Sequence, residues 1–420
     1  MILIFELTWT GTYHAPGNSV TIQTISRACP DEEIRVFAEA SHLQELQRDE
    51  ALRERPGISF HEMPLAPWFR YRQHIVSFRR MLREFNIIRS ALQAAPRREP
   101  CLVMFLSATS TAILVASLML RLRRQALAVQ VGLHGELHSL LGWRPRNPLA
   151  RALDFTSALR GRHDPRLRFL VLEEAIRQEL ARIAPAAAER TDVLPLPINL
   201  GELPLVPETE LRRPVQIGFV GQATEAKGIG DFLDTAAAFR ERYPGLVEFH
   251  LVGRVMPGTD PARFAVLDSP ASEQHLSRQE FLDRLARLHF VFLPFQPGYY
   301  NLSASGALLD AITWLKPVIA TRLPIVSDLF ARFGDIGYLC DDPDGMRAVL
   351  DEIVTRPDPA RYRDQVAALR RARAARMPAV LADRYRGILG DFTPLPVCRR
   401  ARAPSPGSLC EPTSPAGRER

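Results

Sequence analysis

The sequence predicts an α/β protein made of two Rossmann-like βαβ domains facing across a cleft. Three observations carry that expectation. Short apolar runs of strand length alternate with segments whose apolar residues recur at helical spacing, in both halves of the chain. A stretch rich in proline and charge, residues 199–214, separates the halves, and a fresh strand–loop–helix series begins right after it. Glycine-containing loops follow the first strand of each half, which is where open parallel sheets hold their ligands.

The totals agree with this class. A chain of 420 residues, 46% hydrophobic and 24% charged, is long enough for two domains of ordinary size. Its net charge is +7, of which +3 lies in the tail after Thr393, so the body carries about +4. That is too little, and too dispersed, for a nucleic-acid partner, and suits an anionic substrate or membrane surface. Of the 54 basic residues only Lys227 and Lys316 are lysines, and both fall in stretches singled out below for chemistry. The five cysteines show no CxxC spacing, so a reducing compartment is expected. The opening residues lack the basic and apolar regions of a signal peptide, and a cytoplasmic location is expected.

Taken in order, residues 2–7 are a strand, 8–18 a loop containing Gly11 and Gly17, and 19–28 a helix. His14 and Asn18 are thereby candidates to face the cleft on the acceptor and sugar side, a solvated loop histidine being the other reading of His14. A strand at 34–38 and a helix at 42–53 follow. Residues 68–95 interleave Arg70, Arg72, Arg79, Arg80, Arg83 and Arg89 with aromatic and aliphatic residues. Such a segment either lies on an anionic membrane surface or packs on the sheet with a solvated arginine face. The apolar run 101–120 resembles a membrane span. It is interrupted at Ser107, Thr109, Ser110 and Thr111, and so reads as a buried strand at 102–106 turning into a helix at 111–121. A strand at 126–131 ends in Gly132-Leu133-His134-Gly135-Glu136. A histidine there is placed for hydrogen bonding in a cleft, with Glu136 beside it. A strand at 168–172, a helix at 173–183 and a proline-broken run at 193–198 complete the first half.

The second half opens with a strand at 215–220 leading into Gly221-Gln222-Ala223-Thr224-Glu225-Ala226-Lys227-Gly228, then a helix at 229–242 and a strand at 247–252. A glycine at the strand end lets a diphosphate approach the backbone, and Lys227 supplies a point charge. After a helix at 279–288 comes the most informative stretch: strand 290–295, a tyrosine-rich loop, Ser305-Gly306, a helix at 307–314 and a strand at 317–320. Ser305 can cap that helix and Gly306 clears its first turn, which leaves backbone N–H groups at the positive end of a dipole, suited to phosphate. Asp310 lies about one turn further in, where its carboxylate can accept hydrogen bonds from ribose hydroxyls. Asp341, Asp342 and Asp344 read as a helix cap rather than a metal motif. Helices at 358–375 and 379–389 follow, and the Pro-, Ser- and Arg-rich tail from 393 reads as disordered. The domains implied are 1–198, a linker at 199–214, and 215–392, with the last helices able to pack back on the first domain.

Several of these residues together resemble a known family. They are Phe219-Val220-Gly221 with Lys227-Gly228, His250-Leu251-Val252-Gly253, Val291-Phe292-Leu293-Pro294, and Ser305 to Ala311 with Lys316 to Ala320. Over 215–339 the chain resembles the GT-B glycosyltransferases, specifically the retaining family 4 type. The resemblance implies that Gly221, Gln222, Lys227, Ser305, Gly306 and Asp310 bind a nucleotide-sugar donor. Lys227 would contact its diphosphate and Asp310 its ribose, while His134 would meet the transferred sugar. The sequence departs from the family in three places. Leu302 stands eight positions before Asp310, where the first of two acids is usual; the second acid is Asp instead of Glu; and Gln222 replaces an arginine.

The expected activity is transfer of a sugar from a UDP- or GDP-sugar to a glycan or lipid-linked acceptor in bacterial surface polysaccharide assembly. His134 and Lys227 are the catalytic candidates, no metal is obligatory, and membrane contact through 68–95 stays open. A non-catalytic GT-B subunit and a nucleotide-sugar epimerase are the alternatives. An NAD-binding protein is disfavoured because no GxGxxG follows any expected strand.

Overall fold

The computed structural model describes residues 1–64, 78–94, 100–107, 109–122, 126–134, 137, 140, 146–199, 201, 210–258, 260–296, 298 and 300–390. Glu136, the tail from 393, most of the 199–214 linker and the first part of the 68–95 segment lie outside these residues.

Among the described residues twelve strands form two all-parallel sheets. In the first half they are β1 (Ile2–Glu6), β2 (Ile34–Ala38), β3 (Ile58–Glu62), β4 (Cys101–Ser107), β5 (Leu127–Gly132), β6 (Leu167–Val171) and β7 (Thr191–Val193). In the second they are β8 (Val215–Ala223), β9 (Val247–Val255), β10 (Phe290–Leu293), β11 (Val318–Thr321) and β12 (Gly337–Cys340). The spatial orders are β3-β2-β1-β4-β5-β6-β7 and β12-β11-β10-β8-β9. Each order reverses once, between β1 and β4 and between β8 and β10. An open parallel sheet leaves a crevice beyond its strand ends at that reversal, because the flanking helices depart to opposite faces. The segments leaving β1, β8 and β10 carry His14, Lys227 and Ser305, while His134 follows β5, the neighbour of β4.

The central strands β1, β4, β5, β10 and β11 are wholly buried, as helices on both faces require, while β2 and β9 alternate buried and half-buried residues. Two apolar clusters cover the faces of the first sheet and one fills the second domain. The final helix, Pro378–Gly390, leaves the second domain and contributes Leu381, Ala382, Tyr385 and Leu389 to the first-sheet core. There the Tyr385 hydroxyl donates to Gln130 Oε1 at 2.6 Å. A second tie lies at the start of that crossing. Arg376 donates to Glu173 at 2.6 Å, with both side chains buried, and its carbonyl accepts from the Ile198 N–H at 3.0 Å.

Several local expectations change. The helix expected at 19–28 runs Ala15–Ala28, four residues longer at its N-terminus, since Pro16 is well tolerated in a first turn. Asn18 therefore belongs to a helix instead of a loop. The edge strand β3 and the helix Pro324–Phe333 were not expected, and the helix whose start was read after Asp341–Asp344 runs Pro343–Thr355. Asp342 caps the last of these by accepting from the Gly345 N–H at 2.7 Å. In the 68–95 segment the described part is a helix, Phe78–Gln93. Arg80, expected on a charged face, is buried and paired with Glu84 at 2.9 Å, while Phe78 and Leu82 are exposed. Among the described residues no helix is long and apolar enough to cross a membrane.

Candidate active site

In the second domain, β8 and β9 run in register from Val215↔Val247 through Gly221↔Gly253 to Ala223↔Val255. At the glycine pair the backbones are so close that a Cβ on Gly253 would lie 1.8 Å from the Gly221 carbonyl oxygen. Gly221 itself has φ 101°, which turns the chain toward Lys227, and a Cβ there would lie 3.5 Å from Lys227 Nζ. Gly228 then begins the helix Ile229–Arg242 in the left-handed conformation, and its Cβ would meet the Pro294 carbonyl oxygen at 1.8 Å. The Lys227 loop is thus pressed against the end of β10, across the reversal of the sheet. Gln296, just after β10, locks the contact by donating to Asp231 at 2.8 Å.

Lys227 is held in this loop with its pKa lowered by burial, an effect opposed by the charge of Asp310. Asp310 is half-buried on the helix Gly306–Thr313, one turn from the N-terminus. Ser305 caps that helix, its hydroxyl accepting from the Leu308 N–H at 3.2 Å. Gly306 is exposed, and a side chain there would meet nothing within 4 Å, so the helix start is open on that side. Lys316 plays no part here. It precedes β11 at the opposite end of the sheet, where its buried ammonium donates to the Ala286 carbonyl at 2.7 Å and its pKa is pushed down to about 7.

The first domain presents a histidine pair. His14 caps the N-terminus of Ala15–Ala28 with φ 58°, an uncommon conformation for a residue with a side chain. Its ring stacks on Trp9 at 4.3 Å, and its Nδ1 lies 2.8 Å from His134 Nε2, so one ring donates to the other. Burial pushes His134 down to about 4. Burial, with the neighbouring His134 and then His42, pushes His14 down to about 3. The His14 residue is exposed in the cleft, yet the protein on either side of it disfavours the imidazolium. Both rings are neutral at pH 7.

Asn18, expected to face the cleft, does not reach it. It is buried and donates to Glu6 at 3.1 Å and to His42 Nε2 at 3.0 Å, which leaves His42 Nδ1–H to donate to the Gly11 carbonyl at 2.9 Å. Glu6 also accepts from the N–H groups of Thr8 and Trp9 and from the Ser107 hydroxyl. Burial nevertheless raises its pKa to about 7. This network fixes the β1 loop and, through Trp9, the stacking surface under His14. The β1 and β4 loops meet here, since the Trp9 indole donates to Ser107 at 3.0 Å.

Two spaces that share His14 in their walls lie between the domains. A cavity of about 360 Å³ is lined by Trp9, His14 and His134 from one side and Ser303, Ser305 and Gly306 from the other. A wider cleft of about 1160 Å³ is lined by His14, Gly221, Gln222, Gly253 and Arg254. His14, His134, Gly221, Gln222, Ser305 and Gly306 line these spaces; Lys227 lies beside Gly221 and feels the charge of Asp310, and these two line neither space. Leu302, at the position of the absent acid, is 1% exposed and packs with the first-domain core while lining the smaller cavity. Arg254 and Glu173 also line these spaces and escaped the sequence reading. Arg254 follows a strand-end glycine, a signal that could have been used; Glu173 looks like an ordinary helix start. Among the described residues no group of three or more His, Cys, Asp or Glu side chains is placed to hold a metal ion.

No protein-family model and no curated protein sequence matches the chain. Solved structures do. A glycosyltransferase from Rickettsia africae aligns over 93% of this chain and 98% of its own, with a TM-score of 0.64 at 10% identity. An E. coli trehalose-6-phosphate protein bound with UDP-2-fluoro glucose aligns over 93% and 99%, with a TM-score of 0.61 at 12% identity. Anabaena HepE in complex with UDP-glucose aligns over 93% and 99%, with a TM-score of 0.59 at 14% identity. The chain has the GT-B fold of these proteins, two parallel α/β sheets with a cleft between them.

Proposed function

We propose that the protein is a glycosyltransferase that moves a sugar from a nucleoside diphosphate sugar to a glycan or lipid-linked acceptor. One observation carries this reading. The segments leaving β8 and β10, at the reversal of one sheet, hold Lys227, Ser305, Gly306 and Asp310, and of these Ser305 and Gly306 face His14, after β1, and His134, after β5, across one small cavity.

Each residue then has a part that follows from its surroundings. The helix N-terminus at Gly306 and the ammonium of Lys227 receive the diphosphate and stabilise the charge that grows on it as the sugar leaves. Lys227 is desolvated, so an anion replaces solvation it has lost, and no reorganisation is needed at the moment of reaction. Asp310 accepts from the ribose hydroxyls. The neutral imidazoles of His134 and His14 hydrogen-bond the transferred sugar without adding a charge, and the rigid stack on Trp9 holds them in place. The leucine-lined cavity keeps water from the sugar carbon.

Retention of configuration, a setting in surface polysaccharide assembly at the inner face of the membrane, and independence of metal belong to the same proposal. They are supported by the resemblance over 215–339 and by the exposed Phe78 and Leu82 beside Arg79 and Arg83. A second reading, a GT-B subunit without activity, is favoured by Leu302, which puts a buried apolar side chain where the family has an acid.

Calorimetric titration with UDP and with GDP, repeated on Lys227→Ala and Asp310→Ala, tests the donor site. Binding weakened tenfold or more by either substitution, ~1.4 kcal/mol, is expected. Absence of binding to both nucleotides refutes the assignment. Binding without any donor hydrolysis or transfer, with EDTA present or absent, would favour the inactive subunit.

A further inference from the structure

We propose that Arg254 supplies the second cation for the donor diphosphate, in the place that Gln222 leaves empty. The inference rests on the donor-site reading above and adds to it a residue from a different strand. Gln222 and Arg254 are register partners on β8 and β9. Partners in a parallel ladder stand about 4.8 Å apart and project their side chains from the same face of the sheet. The two glycines just before them, Gly221 and Gly253, bring the backbones into contact, so the two side chains leave the strand ends side by side. The arginine stem is longer than that of glutamine. A guanidinium rooted at position 254 therefore reaches the space that a side chain at position 222 faces.

The surroundings of Arg254 point the same way. It lines the interdomain cleft with Gln222, Gly221 and His14. Its Nε is buried and has no hydrogen-bond partner among the described residues. Neighbouring arginines are differently placed: Arg263 pairs with Asp234 and Arg284 with Glu280, both at 2.6 Å. A buried N–H donor left unpaired is costly, and a phosphate oxygen would satisfy it. The guanidinium is planar, always charged and matched to two phosphate oxygens at once, whereas Lys227 acts as a point charge. Together they would hold the diphosphate from two sides of the Gly221 turn.

The test is titration of UDP and GDP into the full chain and into Arg254→Gln, Lys227→Ala and the exchange variant Gln222→Arg/Arg254→Gln, all with matched thermal melts. Arg254→Gln is expected to weaken the nucleoside diphosphate that binds by tenfold or more. The exchange variant, which returns an arginine to the same face from the neighbouring strand, is expected to recover most of that loss. Binding within twofold of the unaltered protein in Arg254→Gln, alongside a tenfold loss in Lys227→Ala, overturns the role of Arg254 and leaves the donor site standing. An exchange variant as weak as the single variant means that position 254 matters only for structure, which also overturns it. Failure of the unaltered chain to bind either nucleotide removes the donor site itself.

Discussion

Replacing Arg376, which lines the small cavity together with Glu173, by leucine should destabilise the whole protein. Arg376 is 4% exposed and its partner Glu173 5%. The guanidinium donates to one carboxylate oxygen at 2.6 Å, while the other oxygen, Oε2, is buried with no hydrogen-bond partner. Removing the arginine therefore strands a buried anion, which typically costs about 3–5 kcal/mol. Arg384 lies near enough to feel Glu173 and compensates part of that charge, placing the expected loss near the lower end, ~3 kcal/mol. Adding Glu173→Leu removes the stranded charge, and the pair of apolar residues should return stability to within about 1 kcal/mol of the starting protein. Urea unfolding followed by far-UV circular dichroism measures all of these, provided the slopes agree among variants. A single variant that loses less than about 1 kcal/mol, or a double variant that loses as much as the single, would refute the argument that this pair is a buried charge held by its partner.

The other predictions are quicker to state. Gly228→Ala should abolish nucleotide binding and lower the melting temperature, since its Cβ would lie 1.8 Å from the Pro294 carbonyl oxygen at a φ of 78°. An alanine variant that binds normally would show that the loop is not held as described. The raised pKa of Glu6, about 7 against an ordinary 4.5, means that the folded protein keeps a proton which the unfolded chain has already released. Stability should accordingly fall as the pH climbs between those values, by at most ~1.4 kcal/mol per unit, and then level off. Melts that rise over the same window would mean that the four donors around Glu6 outweigh its burial. His14 and His134 are neutral well below pH 7, so transfer or donor hydrolysis should show no histidine titration from about pH 6 to about 8. A step near pH 6.5 that His134→Gln removes would contradict the neutral pair.

Much of the fold was legible because a parallel sheet buried on both faces has to be written in continuous apolar runs. β1, β4 and β8 were readable for that reason, β2 and β9 by their alternating apolar residues, and the helix Ile229–Arg242 matches its expected bounds at both ends. β3 escaped notice because it is an edge strand whose residues are half exposed, so little in it distinguishes Ile58–Glu62 from a loop. The early start of the first long helix was hidden by Pro16 and Gly17. Both residues usually punctuate loops, but here they occupy a first turn, where proline's missing N–H costs nothing.

The site divides along a similar line. What depends on a few consecutive residues could be read: the Gly221 turn with Lys227, the capped helix with Asp310, and a histidine past a strand end. What depends on neighbours in space could not. Asn18 looked like a cleft residue because a loop was expected around it, and only the fold reveals that Glu6 and His42 claim its side chain. Gln222 looked like the loss of a cation, because nothing in the linear order links it to a residue thirty-two positions later. A parallel crossover sets that spacing: strand, helix and return strand must all be traversed before the chain comes back alongside itself. Sheet register makes such distant residues immediate neighbours, so a charge can pass from one strand to the next without changing the field at the site. A motif read along one strand will then report a missing group that the adjacent strand supplies.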